Sequence, residues 1–217
     1  MALAIFDLDE TLIHGDCASL WARHMADIQW VDRDSFLPRE QELMALYSQG
    51  KLAMEDYMAF TLAPLVGRSE EEVAFVVGPF VEEVSEPIIY GDAMRCLAAH
   101  RAAGDRLLVI SASAHFLVSA IAARLGIDEV LAIDCEQQHG GYSGRTRGVL
   151  TYREGKVTRL EAWLQAEGET LEGAHFYSDS RNDLPLLQRV PHPHAVNPDA
   201  VLREHAERAG WDILHWT

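Results

Sequence analysis

The sequence predicts an α/β fold: a doubly wound parallel sheet carrying an inserted, all-helical segment. Three observations predict it. An apolar run, Leu3 to Phe6, stands alone near the amino end. Residues 16–85 then carry helical periodicity and no convincing strand. From Pro87 onward, short apolar runs alternate with amphipathic stretches, the pattern of strands joined by crossover helices.

Leu3-Ala4-Ile5-Phe6 is apolar at every position, as a central parallel strand buried on both faces must be. About four helices are expected from Asp16 to Ser85. Leu43, Leu46 and Tyr47 recur at helical spacing, as do Tyr57, Phe60 and Thr61. Ser69 before Glu70, Glu71 and Glu72 is an N-cap with an acidic first turn. After Pro87, a helix over Ala93 to His100 is expected to stop at Gly104. A strand from Arg106 to Ile110, a helix from His115 to Leu125 and a strand from Glu129 to Asp134 follow. Gln138 to Thr151 reads as a Gly-rich hairpin. Helices over Val157–Gln165, Leu184–Arg189 and Asp199–Arg208 then alternate with strands at His175–Ser178, Ala195-Val196 and Trp211–Leu214. The implied organisation is an α/β core of residues 1–15 and 86–217 with a helical cap at 16–85.

With 217 residues and 48% hydrophobic content, the chain can bury a substantial core. Its formal charge of -16 excludes partners that demand clustered Lys and Arg, namely nucleic acid and anionic membranes. An anionic substrate would have to be drawn by positive charge placed locally. Cys17, Cys96 and Cys135 form no CxxC pair, which points to a reduced, cytoplasmic protein. No membrane span is expected, because no apolar stretch reaches about 18 residues. Nor is a signal peptide expected, since the apolar start lacks basic residues and runs straight into Asp7. Oligomeric state is not legible from the residues.

Chemistry is concentrated where strands are expected to end, which is where open α/β sheets bind ligands. Asp7-Leu8-Asp9-Glu10-Thr11 follows the first strand. Two carboxylates spaced by one residue can face one cleft. One can attack phosphorus and the other can protonate a leaving oxygen, while Thr11 braces the turn. Such pairs also occur as ordinary turn chemistry. In Asp179-Ser180-Arg181-Asn182-Asp183, Asp179 would complete a hard oxygen set for Mg²⁺ beside Asp7. Asp183 and Asn182 would support it from behind; a capped helix start is the plainer reading of one acid there. Lys156 would be the cation that admits phosphate among these acids. Ser111, with main-chain N–H groups near it, could hold phosphate oxygens, although Ser113 is an equal candidate for a helix cap.

These segments, in this order, resemble the four motifs of the haloacid dehalogenase superfamily over essentially the whole chain. The helical insert between the first motif and Ser111 is similar to the caps of phosphoserine phosphatases. The resemblance implies Asp7 as nucleophile and Asp9 as acid/base. It implies Ser111, Ala112, Lys156 and Leu8 as phosphate contacts. Mg²⁺ would sit on Asp7, Asp179 and the main-chain carbonyl of Asp9. The expected activity is hydrolysis of a small phosphorylated metabolite through an aspartyl-phosphate. Two departures bear on the substrate. Ser111-Ala112-Ser113 stands where phosphoserine phosphatases have Ser-Gly-Gly, and Asp16 stands where they carry Glu. Gly15-Asp16-Cys17 and Trp21 are more similar to a neighbouring branch, some described as histidinol-phosphate phosphatases; Asp16 and Trp21 are therefore the cap residues expected to meet substrate. Arg23, His24, Arg33 and Arg39 are expected on solvated helix faces. Phosphomutase-type transfer and a non-catalytic phosphate-binding module are the rival readings.

Other signals carry less. Gly148 to Lys156 fails as a P-loop, because Leu150 and Val157 stand where Gly and Ser or Thr are required. His192-Pro193-His194 is expected to be a loop before the Ala195-Val196 strand. Trp211 and Trp216 are expected to serve packing.

Overall fold

Strand β1 (Leu3–Phe6) is the middle of a seven-stranded sheet and is buried along its whole length. Its side chains alternate between two cores, which is why no polar residue is tolerated in it. Ala4 and Phe6 enter the larger core, and Leu3 and Ile5 enter the smaller one on the opposite face. The computed structural model describes residues 2–49 and 51–217. The strand order is β4-β3-β2-β1-β5-β6-β7, with β2 (Arg106–Ala114), β3 (Glu129–Gln138), β4 (Gly141–Arg147), β5 (His175–Ser178), β6 (His192–Val196) and β7 (Asp212–Leu214). Every neighbouring pair is parallel except β3 and β4.

Between β1 and the next α/β unit lie α1 (Cys17–Asp27), α2 (Arg33–Ser48), α3 (Met54–Leu62) and α4 (Glu70–Phe80). Ser69 and Glu72 close a reciprocal capping box on α4, two donors satisfied at once. Helices α5 (Gly91–Ala103) and α6 (His115–Arg124) contribute apolar side chains to the larger core. On the other face lie α7 (Glu154–Glu167), α8 (Leu184–Leu187) and α9 (Ala200–Ala209), whose Leu160, Leu187 and Leu202 fill the smaller core. Gly104 ends α5 in the left-handed conformation, as its position predicts.

Three local readings are corrected. β2 does not stop at Ile110 but continues through Ser111 to Ala114, with its register against β3 shifting on the way. The hairpin opens earlier than expected, because β3 runs to Gln138 and pairs antiparallel with β4 across His139 and Gly140. His192-Pro193-His194 is strand, not loop, and Pro193 pairs in register with Phe176. Proline ordinarily argues against an internal strand, so the sequence pattern misleads there.

The hairpin also grips the inserted helices. Tyr142 accepts from Gly67 N–H and donates to the Arg68 carbonyl, both at 2.9 Å. Gly141 permits this approach: a Cβ there would lie 2.8 Å from the Gly67 carbonyl carbon. Among the described residues, no helix is long and apolar enough to cross a membrane. Cys17, Cys96 and Cys135 are all free thiols.

Candidate active site

Asp7 leaves the carboxyl end of β1, and the flanking strands β2 and β5 bring Ser111 and Asp179 to the same edge of the sheet. Asp7 is 7% exposed, and its main-chain N–H donates to the Tyr177 carbonyl of β5 at 2.9 Å. Lys156, 2% exposed in the first turn of α7, reaches across the edge. Its Nζ lies 2.9 Å from Asp7 Oδ1 and 2.8 Å from Asp183. Asp183 also accepts from the Ser178 hydroxyl at 2.7 Å, so its carboxylate fixes both the lysine and the end of β5.

The turn that delivers Lys156 depends on Gly155. A Cβ at that position would lie 1.9 Å from the Leu150 carbonyl oxygen, so glycine alone fits. Thr151 anchors the same turn by donating to the Ser111 carbonyl at 2.6 Å.

Thr11 ties the first and last segments together. Its hydroxyl accepts from Asp179 N–H at 3.0 Å and stands 3.3 Å from Asp179 Oδ1. Asp9 turns toward the inserted helices. One carboxylate oxygen accepts from Cys17 N–H at 2.6 Å, and the other accepts from the Ser113 hydroxyl at 2.8 Å. Asp16 caps α1, accepting from Ser19 N–H at 2.7 Å.

Electrostatics separate the two leading acids. Burial, partly offset by the Lys156 charge, raises Asp7 to about 6. Burial together with the Asp16 and Asp7 charges raises Asp9 to about 7. Burial, then Asp7 and Asp183, push Asp179 well above the usual carboxylate range. Burial acts to lower Lys156, but the Asp183 and Asp7 carboxylates outweigh it and hold the amine above its ordinary value. A site that crowds carboxylates beyond what one lysine offsets is suited to a further cation. Among the described residues, no three His, Cys, Asp or Glu side chains form a ready metal cage. The expected Mg²⁺ set asks for less: two carboxylates and a main-chain carbonyl, with water completing the shell. Asp7 and Asp179 fit that requirement as hard oxygen donors bordering one pocket.

That pocket, of about 210 Å³, is lined by Asp7, Asp9, Glu10, Asp16 and Asp179 on its acidic side. Tyr47, Tyr57, Met44 and Met54, from α2 and α3, form the facing wall. Among the described residues lining it, none is Lys, Arg or His. Larger grooves of about 590 and 680 Å³ lie elsewhere and hold no comparable cluster of acids.

Most expected site residues therefore meet here, in different ways. Asp7, Asp9, Asp16, Ala112 and Asp179 line the pocket. Lys156, Leu8, Ser111, Asn182 and Asp183 are buried and do not line it. The Leu8 N–H hydrogen-bonds the Asp7 carboxylate. Ser111 Oγ accepts from Ser113 N–H at 3.1 Å. Asn182 Oδ1 faces Arg153 Nε at 3.3 Å. Trp21 does not border this pocket; it lines a smaller adjoining cavity. Arg23, Arg33 and Arg39 are exposed, and His24 stacks on Trp21. Sequence reasoning missed Ser113 as the partner of Asp9, and it missed Tyr47 and Tyr57. The tyrosines sit at helical spacing within apolar faces, where only the hydroxyl distinguishes a pocket wall from core.

The chain is similar to known proteins in sequence and in fold. The model of the haloacid dehalogenase-like hydrolase family matches residues 4–188. The histidinol-phosphatase of Neisseria meningitidis is 38% identical over 99% of this chain and 98% of its own length. A phosphoserine phosphatase of Mycobacterium tuberculosis is 31% identical, over 98% of this chain and 70% of that one. A crystal structure of a protein from Bordetella pertussis Tohama I superposes with a TM-score of 0.91 at 36% identity, covering 98% and 97% of the two chains. With its motifs assembled at one sheet edge and likeness extending along its full length, the chain belongs to the haloacid dehalogenase-like hydrolase family.

Proposed function

We propose that the protein is a Mg²⁺-dependent phosphomonoester hydrolase working through an aspartyl-phosphate on Asp7. The observation that carries this reading is the pair Asp7 and Asp9, spaced by one residue at the sheet edge and held by different partners. Asp7, at about 6, is mostly ionised at neutral pH and available as nucleophile, while Asp9, at about 7, is shared between its two forms there and can both give and take a proton.

In the first step a carboxylate oxygen of Asp7 forms a bond to phosphorus as the bond to the substrate's alcohol oxygen breaks. Asp9 passes its proton to that departing oxygen. In the second step Asp9 takes a proton from water, whose oxygen bonds phosphorus while the Asp7–phosphorus bond breaks and inorganic phosphate leaves. Lys156, with main-chain N–H groups of Leu8 and Ala112 and the hydroxyl of Ser111, offsets charge on the phosphoryl oxygens. The ligands proposed for Mg²⁺ are Asp7, Asp179 and the Asp9 carbonyl; when bound, the ion neutralises phosphoryl charge. Residues 16–85 act as a cap over a core of residues 1–15 and 86–217, limiting water in the pocket.

The substrate class follows from the lining. With Asp7 and Asp179 assigned to the ion and Asp9 to proton transfer, Glu10 and Asp16 are the acids of the lining left to face the leaving alcohol; with no basic residue beside them, they favour an ammonium group and disfavour a carboxylate. That supports histidinol phosphate, the substrate in the name of the Neisseria relative, over phosphoserine.

Phosphate release from phenyl phosphate tests the chemistry. Wild type should require Mg²⁺ and stop in EDTA, and Mg²⁺ should raise the melting temperature of Asp9→Asn as well as of wild type. Asp7→Asn should remain folded and lose turnover. Undiminished activity of folded Asp7→Asn would remove the nucleophile assignment.

A further inference from the structure

Two buried hydrogen-bonding groups beside the pocket, Trp21 Nε1 and Tyr57 Oη, have no partner among the described residues. Trp21 is 3% exposed and Tyr57 is 5% exposed. Leaving such a group unpaired forfeits its hydration with nothing in return, so each one calls for an explanation. Both side chains line one small cavity between α1, α3 and α6. The rest of its wall is mainly apolar, with Met25, Met58, Leu62 and Phe116 prominent.

This cavity adjoins the reaction pocket. Ala18, Tyr57 and Ser113 border both spaces, and Ser113 is the residue that holds Asp9. Its volume is about 20 Å³, enough for a single oxygen or nitrogen atom at the tip of a larger group. Indole N–H can only donate, so the atom placed there must accept. Asp16 and Glu40 act electrostatically on Tyr57. That negative field excludes an anionic acceptor and leaves a neutral one.

We propose that Trp21 and Tyr57 form a specificity subsite that recognises a neutral hydrogen-bond acceptor, a ring nitrogen or carbonyl oxygen, at the far end of the leaving alcohol. The proposal rests on the phosphomonoesterase reading above and adds a second determinant to it. The acids of the pocket select an ammonium group, and the paired donors select what lies beyond it. Trp21 is held for this by edge contacts with Trp30, Phe80 and Phe116, at centroid distances of 5.9, 5.2 and 6.0 Å. Neither residue touches the reacting phosphate in this scheme; both act on substrate choice.

The test compares three probes on wild type, Tyr57→Phe and Trp21→Phe. Histidinol phosphate carries an ammonium group and a ring acceptor, O-phosphoethanolamine an ammonium group alone, and phenyl phosphate neither. Each substitution should lower kcat/KM for histidinol phosphate by about tenfold, chiefly through KM, and lower it distinctly less for the other two probes. Calorimetric binding of histidinol phosphate to Asp7→Asn should weaken by the same factor when Tyr57→Phe is added. Equal losses on all three probes would mean a structural role and overturn the proposal, as would no loss on histidinol phosphate. Tyr57→Phe removes one oxygen from a helix wall, so it decides the matter if Trp21→Phe does not fold. Failure of wild type on every probe would remove the phosphomonoesterase reading itself. Turnover of phenyl phosphate without discrimination would remove only the subsite.

Discussion

Lys156 and Asp7 are 149 residues apart in the chain, yet Nζ and Oδ1 meet at 2.9 Å with both side chains almost fully buried. Lys156 meets Asp183 equally closely, so one buried amine joins the end of β1 to the segment after β5. Lys156→Met would leave two carboxylates buried without their cation, a loss of about 3–5 kcal/mol when one partner of a buried pair is removed. Chemical denaturation in EDTA should register that loss. Adding Asp7→Asn should restore part of it, because one of the stranded charges is gone. Independent, additive effects would mean that the two residues are not energetically coupled.

Gly155 permits the turn that places Lys156. Gly155→Ala brings a methyl group against the Leu150 carbonyl, so the turn or the start of α7 must shift. Overpacking of this kind costs about 1–3 kcal/mol. Turnover should fall more steeply than stability, since the lysine is the next residue. A variant with wild-type melting temperature and turnover would show that the turn yields without moving Lys156.

Asp9→Asn distinguishes acid–base chemistry from a purely electrostatic role. The alkyl ester histidinol phosphate should lose about 10²–10⁴-fold, the usual contribution of a general acid–base group. An aryl phosphate needs little protonation of its leaving group, so its first step should be spared while hydrolysis of the aspartyl-phosphate remains slow. Rapid-quench measurements should then detect a burst of phenol and phosphoenzyme on Asp7. Equal slowing of alkyl and aryl substrates without a burst would contradict the role given to Asp9.

A stack of partly buried histidines should make the stability of the fold depend on pH. His175 Nδ1 and His194 Nε2 lie 2.9 Å apart, and both rings stack near Tyr177. Burial, followed by the neighbouring His175, lowers His194 to about 4. A base whose folded value is depressed stabilises the fold above its ordinary value of about 6.5. That stability is lost as pH falls from there toward 4, because the unfolded state binds the proton more readily. The melting temperature of wild type, measured relative to His194→Gln, should therefore decline between pH 7 and pH 5. A constant difference over that interval would rule out His194 as the titrating group.

The sequence by itself determined the alternation of strands and helices, the run of helices between β1 and β2 and the set of side chains that gather at the sheet edge. Leu3 to Phe6 could be read as a central strand because every position is apolar, a direct consequence of burial on two faces. The meeting of Asp7, Asp9, Lys156 and Asp179 was legible because they stand just past strand ends or, for Lys156, at a helix start. The tertiary structure alone decided the partnerships made over long separations. Ser113 holds Asp9 across 104 residues, and Thr11 holds Asp179 across 168. It also decided which hydroxyls of the inserted helices face the pocket, because helical periodicity gives Tyr57 the same pattern as its core neighbour Met58. The continuation of β2 through Ser111 and the strand at His192-Pro193-His194 were hidden for a related reason. Pairing between distant strands overrode the local preferences of serine and proline, and those preferences are all that a linear reading can weigh.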